Sequence, residues 1–291
     1  MPFFLWLDMG PKVVVMTEQL SKINAGDVYH VVDAGVIGQL RHAFSDAMAM
    51  TRRNLLRYLR IPDLLVFSTI QPVIFLVLFT YVFGGAVKGL HTSYIDFLIP
   101  GIVIQTVAFG STQTGVGLAE DMGKGLIERF RSLPMARSAV MAGRTIADSA
   151  RNLAVIVLMI AVGYLIGFRF HNGILPALFS IVLAVLFGFA LSWISAFTGL
   201  AAKNVEGAQV ASFIWIFPLT FASAAFVPVN TMPGWLQGFV KVNPITNAVD
   251  ALRALSLGGP TARYVLYTLL WTVGLIAVFA PLAVGRYKTK T

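Results

Sequence analysis

The chain of 291 residues contains no cysteine. That excludes disulfide frameworks, thiolate metal sites and cysteine nucleophiles, and it leaves the redox compartment open. Charge is scarce as well. Asp, Glu, Lys and Arg make up 12% of the chain, about half the roughly 25% of an average soluble domain. Apolar residues make up 57%. One soluble core cannot hide so much apolar surface, because a folded chain of this size must still wet its exterior. A soluble globular enzyme, a disordered tail and a coiled coil are therefore excluded. A polytopic, all-α membrane protein of one main domain remains.

The charge that is present leans one way, with 22 Lys and Arg against 13 Asp and Glu, a net +9. In a soluble chain this excess suggests nucleic acid. In a membrane protein it reads as topology, because cytoplasmic loops collect Lys and Arg. No nucleic-acid partner is expected.

A bilayer core of about 30 Å takes about 20 helical residues. Six stretches qualify: 64–83, 97–118, 152–168, 174–202, 208–227 and 264–284. Each is read as a helix, since a spanning segment must satisfy its own backbone hydrogen bonds. With six spans, seventeen of the Lys and Arg fall on one side and five on the other. This places both termini in the cytoplasm of a multi-pass plasma-membrane protein. Residues 1–35 read as a tail. Its apolar run Phe3–Leu7 is too short for a signal-peptide core, and no basic residue precedes it.

Residues 36–63 carry too many charges to span. Leu40, Phe44, Met48, Leu55 and Leu59 recur at helical spacing, with Arg53, Arg57 and Arg60 on another face. An amphipathic helix at the cytoplasmic interface is expected, its arginines toward lipid phosphates. It serves as an anchor, or as a lever that also touches a cytoplasmic partner; the anchor is the simpler reading.

The loop 120–151 is too long for a plain helix connection. Leu126, Phe130 and Leu133 form a short apolar stripe among Glu128, Arg129 and Arg131, and Pro134 ends that piece. A second helical piece, 138–149, leads into span three. A compact charged helix with an apolar stripe suits docking into a groove on another protein. On the other side of the membrane, residues 228–259 are apolar yet broken by Pro233, Gly234, Asn243, Pro244, Gly258 and Gly259. Trp235, Leu236, Phe239 and Val240 read as one short apolar face, and Val249, Leu252 and Leu255 as another. Both pieces are too short to cross. They predict a re-entrant hairpin, with Trp235 at headgroup level.

Several machineries are missing. No ionisable residue falls in the middle of any predicted span, which counts against proton-coupled carriers and voltage sensors. The four histidines lie in loops or tails without metal-ligand spacing, and no G-x-S-x-G occurs. No catalytic, cofactor or metal residue is assigned. There is no phosphate-cradling loop: Gly117 to Lys124 has five residues between its glycines and no following Ser or Thr. Ser256-Leu257-Gly258-Gly259 faintly resembles an ATPase signature but falls on the outer side. Energy for uphill movement must come from another subunit.

Polar residues do occur at depth. Gln71 sits beside Pro72 in span one, and Gln105, Thr106, Ser111, Thr112, Gln113 and Thr114 mark span two. Gln105 and Thr112 share a face, as do Thr106 and Gln113. Interhelical hydrogen bonding, worth under about 2 kcal/mol each, is the preferred reading. The functional alternative is the lining of a substrate route by Gln71, Gln105, Thr112 and Gln113. Gly163 and Gly167 form a G-x-x-x-G on span three, a packing motif of low specificity.

From about residue 36 to 287 the chain resembles the permease subunit of type-2 ABC exporters, in the daunorubicin-resistance branch. The order matches: amphipathic helix, two spans, charged elbow, three spans, outer hairpin, final span. So do the strings EDMGKGLIERFRSLP at 120–134, GYLIGFRF at 163–170, and the P-x-W and N-P elements at Pro233, Trp235, Asn243 and Pro244. Residues 64–287 would then be a six-span permease domain. The resemblance implies a cytoplasmic ABC ATPase dimer that carries ATP and Mg. It implies a second permease, identical or homologous, and export of an amphipathic drug, lipid or glycolipid. It also implies that the elbow, Lys124, Leu126, Glu128, Arg129, Phe130, Arg131, Leu133 and Pro134, couples to the ATPase. The chain alone would not be an enzyme. A channel or assembly scaffold that needs no ATPase is the other class the sequence allows.

Overall fold

A computed structural model describes residues 45–56, 62–83, 93–125 and 137–289. Most of the predicted elbow lies outside these residues, namely Leu126, Glu128, Arg129, Phe130, Arg131, Leu133 and Pro134. So do Arg57 and Arg60 of the amphipathic helix. Among the described residues every regular element is helical, as the composition predicts. Helix α1 covers 45–56. Helix α2 is Pro62–Leu78 and closes in a π turn, Phe79–Phe83. Then come α3 (Tyr94–Gly123), α4 (Arg137–Leu165), α5 (Ile174–Ala201) and α6 (Val205–Phe221). The segment after α6 holds a short turn, Val229–Thr231, then α7 (Gly234–Val242) and α8 (Pro244–Leu257). Helix α9, Thr261–Thr289, closes the chain.

Among the described residues, four helical stretches are long and apolar enough to cross a membrane: Tyr94–Gly123, Met141–Leu165, Ile174–Ala201 and Thr261–Tyr287. Two shorter apolar helices, Thr69–Val82 and Val205–Phe221, stand where the first and fifth spans are predicted. Local chemistry sets the helix starts. Ser93 caps α3 by accepting from the Asp96 N–H, and its hydroxyl donates to the Asp96 carboxylate at 2.9 Å. Asn204 caps α6 through the Gly207 N–H at 2.8 Å. Pro72, Pro100, Pro218 and Pro281 all sit inside helices, as neighbouring helices in a membrane permit.

Helix α3 is the central post. Of its apolar window 72% is buried, against 11% for that of α9. It packs on α4, α5, α6 and α8. Small residues allow the closest approach: Gly115 of α3 meets Ser195 and Gly199 of α5 backbone to backbone. The apolar core runs from Leu98, Ile102 and Ile104 to Leu183, Phe187, Ile245 and Val249.

Several expectations are corrected here. The helical piece predicted at 138–149 and span three are one continuous helix, α4, because nothing between Arg137 and Leu165 breaks it. It ends at Leu165 rather than 168. Gly167 adopts φ +110°, a left-handed turn that stops the helix, with the Phe168 N–H returning to the Gly163 carbonyl at 2.9 Å. The G-x-x-x-G therefore splits: Gly163 packs against Ile99, while Gly167 is a cap. Helix α6 stops at Phe221 instead of 227, just beyond Pro218. In the hairpin, Trp235 and Phe239 are exposed while Val240 is buried. They do not share a face, because a period of 3.6 puts Trp235 and Phe239 together and turns Val240 away. Helix α1 exposes Met48 of the predicted apolar face, and its other side packs on protein. Met50, Thr51 and Asn54 are buried, and the Thr51 hydroxyl donates to the Gly143 carbonyl of α4 at 3.1 Å.

Candidate functional site

Three α2 residues, five α3 residues and three α4 residues meet in one cleft. Gln71, Pro72 and Phe75 form one wall and Gln105, Thr106, Phe109, Gly110 and Gln113 another. Arg151, Asn152 and Val155 complete it. The cleft holds about 80 Å³ of space open to the centre of a water molecule. Gln71, Gln105 and Gln113 are thus brought together, as the substrate-route reading required. Thr112 is not among them. Its hydroxyl donates to the Phe109 carbonyl at 2.7 Å inside the bundle, so it serves as internal helix bonding. The pair Thr106 and Gln113 lines the cleft together.

Two phenylalanines of the cleft belong to a longer series of rings. Phe75 stacks on Phe79 at 5.9 Å, Phe79 on Phe226 at 4.7 Å and Phe226 on Phe221 at 5.7 Å. Phe221 stacks on Phe217 at 5.5 Å, and Phe217 meets Phe109 edge-on at 5.3 Å. The series leaves the cleft along α2, passes the segment after α6 and returns through α6. Offset and edge-on ring contacts of this kind fix an apolar, polarisable surface.

Beside the cleft, toward the elbow, lies a set of buried charges on α3 and α4, just outside the spans predicted at 97–118 and 152–168. Arg144, Asp148 and Arg151 occupy one face of α4, three and four residues apart, and all are buried. Arg144 pairs with Asp121 of α3 at 2.8 Å and lies 4.0 Å from Asp148. Thr114 donates its hydroxyl to Asp148. The Arg144 guanidinium occupies the notch left by Gly117, where a Cβ would collide with it. Arg151 donates to the Gly110 carbonyl at 2.6 Å and to the Asn152 side-chain oxygen at 3.2 Å. The opposite face of α4 is apolar and exposed at Ile146, Leu153 and Val157. The helix is built inside out, with charges toward protein and apolar groups outward, as ionisable residues in membrane helices require. The spacing of Arg144, Asp148 and Arg151 was the available signal. Counting them as loop charges concealed it.

Arg53 of α1 joins this cluster. Its guanidinium lies 3.5 Å from Asp121, so it points toward a protein carboxylate rather than toward lipid phosphate, the partner the sequence suggested. Lys124, the first elbow residue, pairs with Glu120 at 2.6 Å on the exposed end of α3.

At the far end the hairpin residues serve as connectors. Asn243 accepts from the Ile245 N–H at 2.8 Å, and its amide donates to the Leu219 and Ala222 carbonyls, each at 2.7 Å. One side chain thus starts α8 and satisfies the end of α6, while Pro244 supplies a first-turn residue that needs no N–H partner. Pro233 precedes α7. Arg253 donates to the carbonyls of Phe97, Ala224 and Ala225, pairs with Asp250 at 3.2 Å and stacks 3.6 Å over the Phe97 ring. Irregular backbone at 222–226 is tolerated because these side chains satisfy it.

The family model described as ABC-2 type transporter matches residues 46–257. The chain is 35% identical to the daunorubicin resistance ABC transporter permease protein DrrB1 of Streptomyces coeruleorubidus, covering 97% of this chain and 98% of that protein. It is 31% identical to the probable doxorubicin resistance ABC transporter permease protein DrrC of Mycobacterium tuberculosis, covering 85% and 90%. A putative transport permease, ycf38, of Cyanophora paradoxa is 26% identical over 72% of this chain.

Proposed function

The chain belongs to the ABC-2 type transporter family and is a membrane-embedded permease subunit of an ABC exporter; from that premise we propose how it works. It moves an amphipathic drug, lipid or glycolipid outward through six spans, with both termini in the cytoplasm. A separate ATPase dimer holds ATP and Mg and supplies the energy. A second permease, identical or homologous, completes the path.

The observation that carries this reading is the position of the cleft. One wall stands on α2, and the other two on α3 and α4, the two helices that the elbow joins. The Asp121–Arg144 pair ties those helices together on the elbow side of the cleft. A push on the elbow then moves both walls as one body. In the elbow, Phe130 and Leu133 fill an apolar pocket of the ATPase, where a buried side chain of that size contributes roughly 1.5–3 kcal/mol. Glu128, Arg129 and Arg131 set orientation at the rim, where charge governs specificity more than affinity.

Phe130→Ala is expected to weaken copurification with the ATPase. Glu128→Lys should leave the complex assembled but lower export and substrate-stimulated ATP hydrolysis in reconstituted vesicles. Wild-type assembly, hydrolysis and export in both variants would reduce the elbow to a connecting loop.

A further inference from the structure

We propose, resting on the permease reading above, that the cleft between α2, α3 and α4 takes an uncharged, hydroxyl-rich head group, such as one sugar ring on an alkyl body, in preference to an ionic head group of either sign. Gln71, Gln105, Thr106 and Gln113 line the cleft, and none of these side chains has a hydrogen-bond partner among the described residues. Gln105 is 6% exposed and lies near the middle of α3. Asn152, another lining residue, is 4% exposed, and its amide N–H group has no partner among the described residues. Buried amides left unpaired are costly, so a polar group that fills the cleft and pairs with them is favoured. Arg151 is already committed to protein. It donates to the Gly110 carbonyl at 2.6 Å and to the Asn152 side-chain oxygen at 3.2 Å, which ties α4 to α3. An anion would have to take those donors from the protein. A cation would meet the same guanidinium, with no carboxylate in the lining to receive it.

The chemistry of the free side chains points the same way. The three glutamine amides and the Thr106 hydroxyl each donate and accept. A hydroxyl does both as well, so a polyol can pair with every one of them. A sulfate offers acceptors alone, and a quaternary ammonium offers neither. The size also fits. The 80 Å³ open to the centre of a water molecule holds roughly five to eight waters, about the bulk of one sugar ring. Phe75 and Phe109 stand beside the amides and offer apolar faces to the C–H groups of that ring and to the alkyl body.

The test is equilibrium binding to the purified full chain in a polyoxyethylene detergent, whose head groups carry neither sugar nor charge. The labelled probes are octyl glucoside, octyl sulfate and octyltrimethylammonium. The glucoside should bind at least tenfold more tightly than either ion, and an equal concentration of free glucose should not displace it. Gln105→Leu should weaken the glucoside at least tenfold while the thermal midpoint of the unliganded chain stays at or above wild type, because an unpaired amide has left the interior. Gln113 is exposed in the cleft wall, so Gln113→Leu gives a second readout that does not depend on how the Gln105 variant folds. It should weaken the glucoside in the same direction. A Gln105→Leu variant with a lowered midpoint and unchanged binding would make that amide a bond between helices and overturn the proposal. Unchanged glucoside binding in Gln113→Leu would overturn it too, as would equal or tighter binding of the sulfate or the ammonium by the wild-type chain. Displacement by free glucose would overturn the amphiphile assignment. Binding needs no ATPase. A chain that exports with its ATPase but lacks the glucoside preference would sink this selection and spare the permease reading, and a chain that shows the preference but exports nothing would do the reverse.

Discussion

Arg144→Ala is expected to cost the folded protein about 3–5 kcal/mol, the usual result of removing one partner from a buried ion pair. The side chains of Arg144 and Asp121 are 9% and 7% exposed, and Asp148 is fully buried. Without the guanidinium, two carboxylates remain in the bundle with less to offset their desolvation. Arg53 still reaches Asp121 at 3.5 Å, and Thr114 still donates to Asp148, so the loss falls short of complete collapse. Lys124→Ala is the matched control. It breaks a pair whose side chains are 60% and 30% exposed, and such pairs contribute about 1 kcal/mol or less. Thermal unfolding in detergent, followed by loss of monodisperse protein, should rank Arg144→Ala far below wild type and Lys124→Ala beside it. Equal midpoints for the two variants would show that the pair contributes nothing.

Gly115→Ala should reverse the ordinary sign of a glycine substitution. In a helix interior, Gly to Ala usually stabilises by about 1 kcal/mol, through helix propensity. At Gly115 the new Cβ would overlap the Ser195 carbonyl, which is backbone and cannot turn away. Helices α3 and α5 would have to separate along their closest line. The expected cost is about 3 kcal/mol, at the upper end of overpacking penalties. Gly199→Ala should behave alike, since its Cβ would strike Gly115. Gly274→Ala in α9 is the contrast: nothing lies within 4 Å of the added carbon, so that variant should match or slightly exceed wild type. A Gly115→Ala midpoint at or above wild type would mean that the contact is loose.

The two experiments probe different forces in one assembly. The glycine contact sets how closely α3 and α5 pack. The Asp121–Arg144 pair ties α3 to α4 near the elbow. On the mechanism proposed above, export needs the first to hold a rigid post and the second to carry motion to the cleft walls.

Composition and hydropathy alone determined that this is an all-helical membrane protein, where its apolar helices run and that a broken helical segment separates the last two of them. Those features are local or additive: a run of apolar residues must be helical in a bilayer whatever its neighbours do. Asn243-Pro244 and the glycines at 258 and 259 marked the hairpin because turn chemistry is written in single residues. The elbow stripe of Leu126, Phe130 and Leu133 lies outside the described residues, and both the stripe and its docking stay a proposal. Only the tertiary structure decided which polar residues meet. Gln105 and Thr112 share a helix face by arithmetic, yet one lines the cleft and the other turns its hydroxyl to its own helix, because neighbouring helices cover that face unequally. Arg144, Asp148, Arg151 and Arg253 look like loop charges in sequence. Packing makes the first three buried connectors and Arg253 a partly buried one, since a charge near lipid is tolerated only where protein partners replace its water.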